Sequence, residues 1–339
     1  MKVCVYGAGA IGGHLAVKLS QAGCDVSVVA RGAHLAAIRE NGLTLVSSAG
    51  SVTCHPVAVE DPAELPVQDL VVATVKTPAL AGIAEGLRGL SGPGTAIAYC
   101  VNGLPWWYLS RVGGGIETWS PAIRRMIERL ETAVGTERAI GGIAFSANHV
   151  DAPGVIRNSN PDSGHYLFGE AHPAGRDACD ALVAALRQGS CAAERSERFE
   201  REIWKKLSLN CVSGPIGALT GMETGRLLTY PDLEGLTRAA WTEVGRLAES
   251  CGQPGAMVSL SEMAQKAGRH KSSMLQDFEA GRTPEIETLL GALSDLARAR
   301  QMAIPALDAL LALTRARATA LGLLPATPAP APAGRLAGE

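Results

Sequence analysis

A glycine-rich turn close to the N-terminus constrains the fold of this chain more than any other feature. Residues 7–12 read GAGAIG and follow a short apolar run, Lys2–Tyr6, with the length and β-branched content of a buried strand. Beyond the turn, apolar residues recur at helical spacing until Gly23, and a second apolar run covers Asp25–Ala30. The turn therefore lies inside a predicted strand–helix–strand unit, the context that a dinucleotide-binding site requires.

The backbone of this turn is suited to binding a pyrophosphate. A glycine at position 7 permits the tight turn, one at position 9 leaves space for the phosphates, and one at position 12 lets helix and strand pack closely. Free N–H groups at the start of the helix, and its dipole, then bind the anion without a basic side chain. The predicted cofactor-binding residues of the turn are Gly7, Gly9, Ala10, Ile11 and Gly12. An ordinary glycine-rich turn is the alternative, which the flanking strands disfavour.

The residue after the second predicted strand indicates which dinucleotide is bound. Enzymes that use NAD usually place an acidic residue here for the ribose hydroxyls, whereas this chain has Arg31. A guanidinium suits a 2′-phosphate; a solvated arginine at a strand end is the alternative. The sequence therefore predicts NADP in preference to NAD.

Length and composition describe a two-domain protein with ample core material. The chain has 339 residues, of which 47% are hydrophobic and 19% charged, and its formal net charge is −2. That balance gives no electrostatic reason to expect nucleic acid or an anionic membrane as a partner. No apolar run reaches the ~18 residues of a membrane span, and the glycine motif begins where a secretory signal would lie. A cytoplasmic location is predicted.

Cysteine and histidine spacing does not suggest a metal site. The eight cysteines are scattered without a CxxC pair, and the seven histidines without an HxxxH or HxH pair. We expect the cysteines to be reduced and mostly structural, and no metal to be bound.

Two further apolar runs predict parallel strands of the same sheet. Residues 69–75 form one run, which Lys76 follows directly. Residues 95–101 form the other, which Asn102 follows directly. Ligands bind at the carboxyl ends of strands in an open parallel sheet. We therefore expect four residues to converge at that edge: Gly7, Arg31, Lys76 and Asn102. Between these runs and the first unit, residues 43–46 and 51–59 are predicted to form strands of a meander.

The segment from about 105 to 138 has the character of an insertion. Adjacent tryptophans, Trp106 and Trp107, lie in it with a third at Trp119. The tryptophan pair is compatible with a substrate pocket, with a contact to a second subunit in a homodimer, or with a local hydrophobic clamp.

The predicted domain boundary lies near residue 195. Residues 1–195 are assigned to the nucleotide-binding domain and residues 196–324, almost entirely helical in pattern, to a second domain. The Pro- and Ala-rich tail at 325–339 is predicted to be disordered.

Two polar patterns interrupt the helical half. Lys206 and Asn210 are four residues apart, which places them on one face of a helix. Residues 272–277 read SSMLQD, and Glu285 follows a proline shortly after. Each pattern alone is more often a solvated helix face.

Taken together, these motifs resemble those of the ketopantoate reductase family, also called 2-dehydropantoate 2-reductases. The shared features occur in the family's order and cover most of the chain: Gly7-x-Gly9-x-x-Gly12, Arg31, Lys76, Asn102-Gly103, Lys206-Leu-x-x-Asn210, and Ser273-Met-Leu-Gln-Asp with Glu285. The resemblance implies an α/β fold in which a Rossmann-type parallel-sheet domain precedes an all-helical domain. It also implies an active site in the cleft between them and NADPH as hydride donor.

The resemblance also implies roles for individual residues. Lys206 becomes the general acid that protonates the alkoxide as hydride reaches the keto carbon, and the motif spacing selects it over its neighbour Lys205. The other implied roles are orientation of Lys206 or the substrate by Glu285, hydrogen bonds to the substrate from Asn210 and Ser273, and positions between cofactor and substrate for Lys76 and Asn102.

The sequence departs from the family pattern where the substrate is bound. Family members commonly carry a second asparagine four residues after the first, and this chain has Gly214 there. The segment 105–138 is also longer than expected. Loss of one hydrogen-bonding group argues for a different 2-oxo acid or for relaxed specificity.

Three functions remain open from the sequence. Reduction of a small 2-oxo acid by NADPH, with ketopantoate as first candidate, is favoured. Another two-domain dehydrogenase, of the opine or 3-hydroxy-acid type, is the second. A non-catalytic NADP-binding sensor is the third, and it would not need the polar set of the helical half.

Overall fold

The chain folds first into the strand–helix–strand unit predicted from its sequence. Strand β1 (Lys2–Tyr6) leads into helix α1 (Ala10–Gln21), and strand β2 (Asp25–Val29) pairs in parallel with β1 along its whole length. The computed structural model describes residues 1–160, 162 and 164–324. The tail at 325–339, predicted to be disordered, lies outside these residues.

The remaining strands all lie before residue 196, and the elements that follow are helices. The other strands are β3 (Leu43–Ser47), β4 (Gly50–Cys54), β5 (Val57–Val59), β6 (Leu70–Ala73), β7 (Ala96–Tyr99), β8 (Ala139–Phe145), β9 (Asn148–Ala152), β10 (Val155–Asn158), β11 (His165–Glu170) and β12 (Ala193–Arg195). The helices before this point are α2 (Gly32–Asn41), α3 (Leu80–Leu90), α4 (Trp106–Val112), α5 (Pro121–Val134) and α6 (Arg176–Gln188). The helices after it are α7 (Phe199–Thr220), α8 (Thr224–Leu228), α9 (Glu234–Ser250), α10 (Leu260–Ala267), α11 (Ser273–Glu279), α12 (Ala292–Ala299) and α13 (Pro305–Ala320), with a π-helical turn at Glu287–Gly291.

The main sheet has eight strands in the order β12-β11-β8-β7-β6-β1-β2-β5. All neighbours are parallel except β8 and β11, which pair antiparallel. Antiparallel neighbours need no crossover helix, and the chain between β8 and β11 forms β9 and β10 instead. The predicted fold class, a Rossmann-type sheet domain followed by a helical region, is confirmed.

A smaller sheet lies beside α1. Its order is β4-β3-β10-β9, so β3 and β4 form a hairpin there while β5 joins β2 in the main sheet. The predicted meander, with strands at residues 43–46 and 51–59, is therefore confirmed for the hairpin of β3 and β4 and wrong for β5, which leaves it to join β2. Burial explains the division, because Ala58 and Val59 of β5 are buried whereas β4 is mostly exposed. The small sheet packs closely on α1, since a Cβ at Gly13 would lie 2.6 Å from the Ile156 side chain.

The segment 105–138 connects β7 to β8. These strands are parallel neighbours, so a crossover is required between them, and α5 supplies it. Three tryptophans of the segment are buried: Trp106 at 1%, Trp107 at 5% and Trp119 at 2% exposure. Trp106 packs edge-to-face on Tyr99 with ring centroids 5.9 Å apart. Of the three alternatives, this burial supports the local hydrophobic clamp.

Helix α7 joins the helical region to the main sheet. Its first residue, Phe199, lies against β8 and β11, where a Cβ at Gly141 or Gly169 would come within 2.2 and 2.3 Å of its atoms. One turn further on, Trp204 Nε1 donates to the Tyr108 hydroxyl at 2.8 Å. Glycines in the sheet therefore provide the space in which α7 docks.

Apolar side chains fill both faces of the main sheet. One cluster lies on the side of α1, α2 and α6, and the other lies on the side of α3–α5 and continues into the helical region. The eight cysteines all lie within the described residues; none is paired, and five are buried. Among the described helices, none has the length and apolarity needed to cross a membrane.

Candidate active site

The glycine turn has a geometry that only glycine allows at two positions. Gly7 has φ of +102°, and its N–H donates to the Val29 carbonyl at 3.0 Å. A Cβ at Gly12 would lie 2.0 Å from the Gly7 carbonyl oxygen and 2.3 Å from Thr74 Oγ1. At Gly9, by contrast, a Cβ would meet nothing within 4 Å. Gly7 and Gly12 thus permit close packing, and Gly9 borders open space.

The start of α1 offers a set of free amides. The first bond into the helix runs from Gly13 N to Gly9 O at 2.7 Å, and no side chain caps the helix. Within residues 1–160, 162 and 164–324, the N–H groups of Gly9, Ala10, Ile11 and Gly12 have no acceptor. Free amides at the positive end of a 12-residue helix fit the pyrophosphate of a dinucleotide.

Arg31 lies where the sequence places it, immediately beyond β2 at the start of α2. Its side chain is exposed and forms no ion pair or hydrogen bond with the described part of the chain. A guanidinium at the same sheet edge as the glycine turn, without a protein partner, fits a 2′-phosphate.

A hydrogen-bonded chain joins the sheet edge to the helical region at Glu285. This carboxylate is only 8% exposed, and its Oε1 accepts bonds from Thr77 N at 2.9 Å and Thr77 Oγ1 at 3.0 Å. Its Oε2 accepts from Asn102 Nδ2 at 2.9 Å. Asn210 Nδ2 of α7 then donates to Asn102 Oδ1 at 3.5 Å. Three of the predicted site residues, Asn102, Asn210 and Glu285, are therefore coupled.

Lys76 also contacts the helical region. Its Nζ forms an ion pair with Asp277 at 2.8 Å and donates to the Thr283 carbonyl at 2.9 Å. Arg282 binds the same carboxylate at 3.0 Å. Lys76 and its neighbour Thr77 together bind the segment from 277 to 285.

Lys206 lies in a cleft at the same edge of the sheet. Asn102 borders the cleft, and Ile143, Ile203 and Leu207 form part of its apolar wall. Burial lowers the pKa of Lys206 to about 8. Its Nζ is 4.7 Å from the centroid of the Phe145 ring.

The surroundings of Lys206 leave its ammonium available. In the described chain this group has no carboxylate partner and no hydrogen-bond acceptor. Lys205 is exposed instead, with Glu202 at 3.4 Å.

Two residues singled out in the sequence do not join this arrangement. Ser273 is exposed at the start of α11, where Ser272 caps the helix by accepting from Leu275 N at 3.2 Å. Gly214 is buried in α7 beside Met274, whose side-chain atoms lie 3.7–3.9 Å from the position of a Cβ. Met274 thus occupies the space next to Gly214.

Three residues without a role predicted from the sequence lie in or beside the site. Thr77 binds Glu285, and Asp277 binds Lys76. His270 lies near Lys206: loss of surrounding water, and secondarily the lysine charge, lower the pKa of His270. Thr77 follows the strand-end lysine directly, which is the one local signal available, whereas its partner is 208 residues away.

Comparison with known families gives a match on both halves of the chain. The model described as ketopantoate reductase PanE/ApbA matches residues 3–106, and its C-terminal counterpart matches residues 198–318. A 2-dehydropantoate 2-reductase of Mesorhizobium japonicum is 36% identical over 326 residues, which are 95% of this chain and 99% of that protein.

Solved structures share the whole architecture. The crystal structure of 2-dehydropantoate 2-reductase from Geobacter metallireducens GS-15 superposes with a TM-score of 0.80 at 28% identity, covering 93% of this chain and 99% of that one. D-mandelate dehydrogenase, solved with NADH and anilino(oxo)acetate, gives a TM-score of 0.80 at 20% identity, covering 96% of this chain and 100% of that one. At that identity the likeness is one of fold alone.

Proposed function

The chain belongs to the ketopantoate reductase family, and on that basis we propose that it reduces a small 2-oxo acid to the 2-hydroxy acid with NADPH, ketopantoate being the first candidate. Family membership makes it an oxidoreductase of the 2-dehydropantoate 2-reductase type. The observation that carries the finer proposal is the partly buried, unpaired Lys206 in a cleft that Asn102 also borders.

The cofactor proposal rests on the residues at the sheet edge. The free amides of residues 9–12 would bind the pyrophosphate, and the exposed guanidinium of Arg31 would bind the 2′-phosphate. NADPH supplies the hydride when it is bound. We place the reacting carbonyl in the cleft, beside Lys206.

Lys206 is proposed as the general acid. Reduction of a keto group produces an alkoxide, which needs both charge stabilisation and a proton. A lysine whose pKa burial lowers to about 8 is mostly protonated at pH 7 and gives up its proton more readily than an ordinary lysine. The apolar wall of the cleft strengthens its charge interaction with the substrate by excluding water.

Glu285 is proposed to act through Asn102. Both of its oxygens accept bonds from the sheet edge, from Thr77 and from Asn102. A bond from Nδ2 to the carboxylate fixes which way the Asn102 amide faces and leaves Oδ1 toward Asn210. Asn102 and Asn210 are proposed to hydrogen-bond the substrate, and Lys76 to lie at the margin of the site. Ser273, which is exposed and outside this arrangement, receives no role in the proposal.

The substrate proposal is tested by steady-state kinetics on a panel of 2-oxo acids with NADPH. We expect the highest kcat/KM for ketopantoate. The comparison substrates are 2-oxoisovalerate, pyruvate and phenylglyoxylate. Turnover of another acid without turnover of ketopantoate would disprove the substrate and keep the reaction class. Tight NADPH binding without turnover of any acid would favour the sensor.

The cofactor proposal is tested with Arg31→Ala. A charge-assisted bond to phosphate is worth about 1.5–3 kcal/mol, so KM for NADPH should rise by roughly 10- to 100-fold while KM for NADH stays unchanged. Arg88→Ala is the matched control, because Arg88 is exposed at the end of α3 and pairs with Glu85. Equal losses for both cofactors would show that Arg31 does not bind the 2′-phosphate.

A further inference from the structure

A histidine next to the glycine turn has both ring nitrogens engaged by backbone. His34 of α2 places Nε2 at 2.7 Å from the Ala8 carbonyl oxygen, and its Nδ1 accepts from Gly154 N at 3.0 Å. Ala8 is the residue between the first two glycines of the turn, and Gly154 lies in the turn between β9 and β10.

The two partners fix the state of the ring. A carbonyl oxygen can only accept, so Nε2 carries the proton; an amide can only donate, so Nδ1 is the unprotonated nitrogen. His34 is therefore a neutral imidazole that bridges the glycine turn and the small sheet.

The Ala8 carbonyl controls the direction of a free amide. The peptide between Ala8 and Gly9 is planar and trans, so the Gly9 N–H points away from the Ala8 carbonyl oxygen in the same plane. Rotation of this peptide would redirect the N–H by the same angle. Gly9 itself offers no steric resistance, because it has no side chain and borders open space.

We propose that His34 is a positioning residue for the dinucleotide: by holding the Ala8 carbonyl, it directs the Gly9 N–H toward the pyrophosphate. The inference rests on the proposed cofactor function and extends it to a residue that does not itself contact the phosphates. Without His34, the turn would have to adopt this peptide orientation when the cofactor binds, at a cost in affinity.

The other side of the bridge is rigid enough to hold the ring. Gly154 has φ of +76°, and a Cβ there would lie 3.2 Å from Ala37 Cβ and 3.3 Å from the Gly42 carbonyl oxygen. Its own carbonyl accepts from Thr44 N at 2.9 Å. The turn that donates to His34 is thus packed against α2 and bonded to the small sheet.

Three variants separate the two bonds of the bridge. His34→Gln places an amide nitrogen where Nε2 lies and can keep the bond to Ala8. His34→Asn places an oxygen where Nδ1 lies and can keep the bond to Gly154, but is too short to reach Ala8. His34→Ala loses both. His172→Ala is the matched control, because His172 also accepts a backbone N–H, from Ala174 at 3.2 Å, near the opposite edge of the sheet.

The measurement is the dissociation constant of NADPH and of adenosine 2′-monophosphate, which has the 2′-phosphate but no pyrophosphate. For NADPH, we expect His34→Ala and His34→Asn to bind about tenfold more weakly and His34→Gln to stay within about threefold, the scale of one hydrogen bond plus ordering of the turn. Adenosine 2′-monophosphate should bind all variants equally. In kinetics, KM for NADPH should rise in the same order while kcat at saturating NADPH stays within about twofold.

Several results would overturn the inference. One is equal NADPH affinity in His34→Asn and His34→Gln. Another is an equal loss of affinity for NADPH and for adenosine 2′-monophosphate in His34→Ala, which indicates a merely structural role. A third is parental NADPH affinity in His34→Ala. A parent that binds NADH as well as NADPH and ignores adenosine 2′-monophosphate would disprove the NADPH preference alone, and NADH affinity in the same variants would then decide the role of His34. A parent that binds neither dinucleotide would overturn both.

Discussion

Replacing Lys206 by methionine should abolish turnover and raise stability in the same variant. Burial lowers the pKa of this lysine to about 8, so the folded protein binds its proton less tightly than the unfolded chain does. Methionine keeps the length and apolar stem of the side chain without the ammonium. If Lys206 is the general acid, hydride transfer to the keto acid loses its proton donor.

The size of the stability gain follows from the same pKa. A fall from 10.5 to about 8 corresponds to roughly 3 kcal/mol at 1.36 kcal/mol per tenfold change in proton affinity. Because the side chain is only partly buried, solvent screening reduces this to about 1–2 kcal/mol. We therefore expect Tm to rise by a few degrees at pH 7, on the order of 2–4 °C per kcal/mol.

The gain has a defined dependence on pH. Between about 8 and 10.5 the unfolded chain holds the lysine proton and the folded protein does not, so parental stability from this group rises with pH in that window. The advantage of methionine is therefore full below pH 8 and shrinks as pH approaches 10.5. In the parent, loss of the protonated form should lower kcat/KM for reduction about tenfold between pH 7 and pH 9.

The assay combines scanning calorimetry at pH 7 and pH 9.5 with single-turnover oxidation of bound NADPH. Lys205→Met is the control: Lys205 is exposed and pairs with Glu202 on the surface, so both readouts should stay close to parental values. A Lys206→Met variant with rates within a few-fold of the parent would refute the catalytic assignment. An unchanged or lowered Tm at pH 7 would refute the reasoning from burial.

Further substitutions at three positions test the sheet edge. Gly12→Ala should lower Tm and abolish NADPH binding, because its Cβ would lie 2.0 Å from the Gly7 carbonyl oxygen. Gly9→Ala should weaken NADPH binding without a loss of Tm, because open space surrounds that position. Equal Tm values for the two variants in a thermal scan would contradict this expectation. Thr77→Val removes the hydroxyl whose one proton is shared between Glu285 Oε1 and the backbone carbonyl oxygen of Asn102. We therefore expect kcat to fall about tenfold and to recover in Thr77→Ser. A Thr77→Val enzyme with parental kcat would show that this hydroxyl does not position Glu285 and Asn102.

The N-terminal unit could be predicted from the sequence because its determinants are local. The apolar run of β1, the glycines of the turn and the helical spacing of α1 all fall within residues 2–21, and each specifies the same structure. The two strands that end before Lys76 and Asn102 were predictable for the same reason. The place of β5 was not predictable, because its pairing depends on β2, nearly thirty residues earlier, and not on the adjoining β3–β4 hairpin.

The contacts within the site could not be predicted from local sequence patterns. The resemblance supplied Glu285 as a residue that orients Lys206 or the substrate, but it could not supply its bonding partners. Those partners are Thr77 and Asn102, which are 208 and 183 residues away in the chain. Such a contact depends on how the helical region docks on the sheet, and hydrophobic periodicity carries no information about that docking.

The way in which the helical region docks on the sheet explains why Glu285 bonds to Thr77 and Asn102 at the sheet edge. Gly103 has φ of +91°, and a Cβ there would lie 2.6 Å from the Thr288 carbonyl oxygen, so the turn after β7 meets the π-helical turn with no intervening side chain. This close approach carries Glu285 to the backbone amide of Thr77, and a buried carboxylate with three donors has no need of a cation. Lys206 can therefore remain unpaired in its cleft, which is the condition under which burial lowers its pKa and makes it a better proton donor.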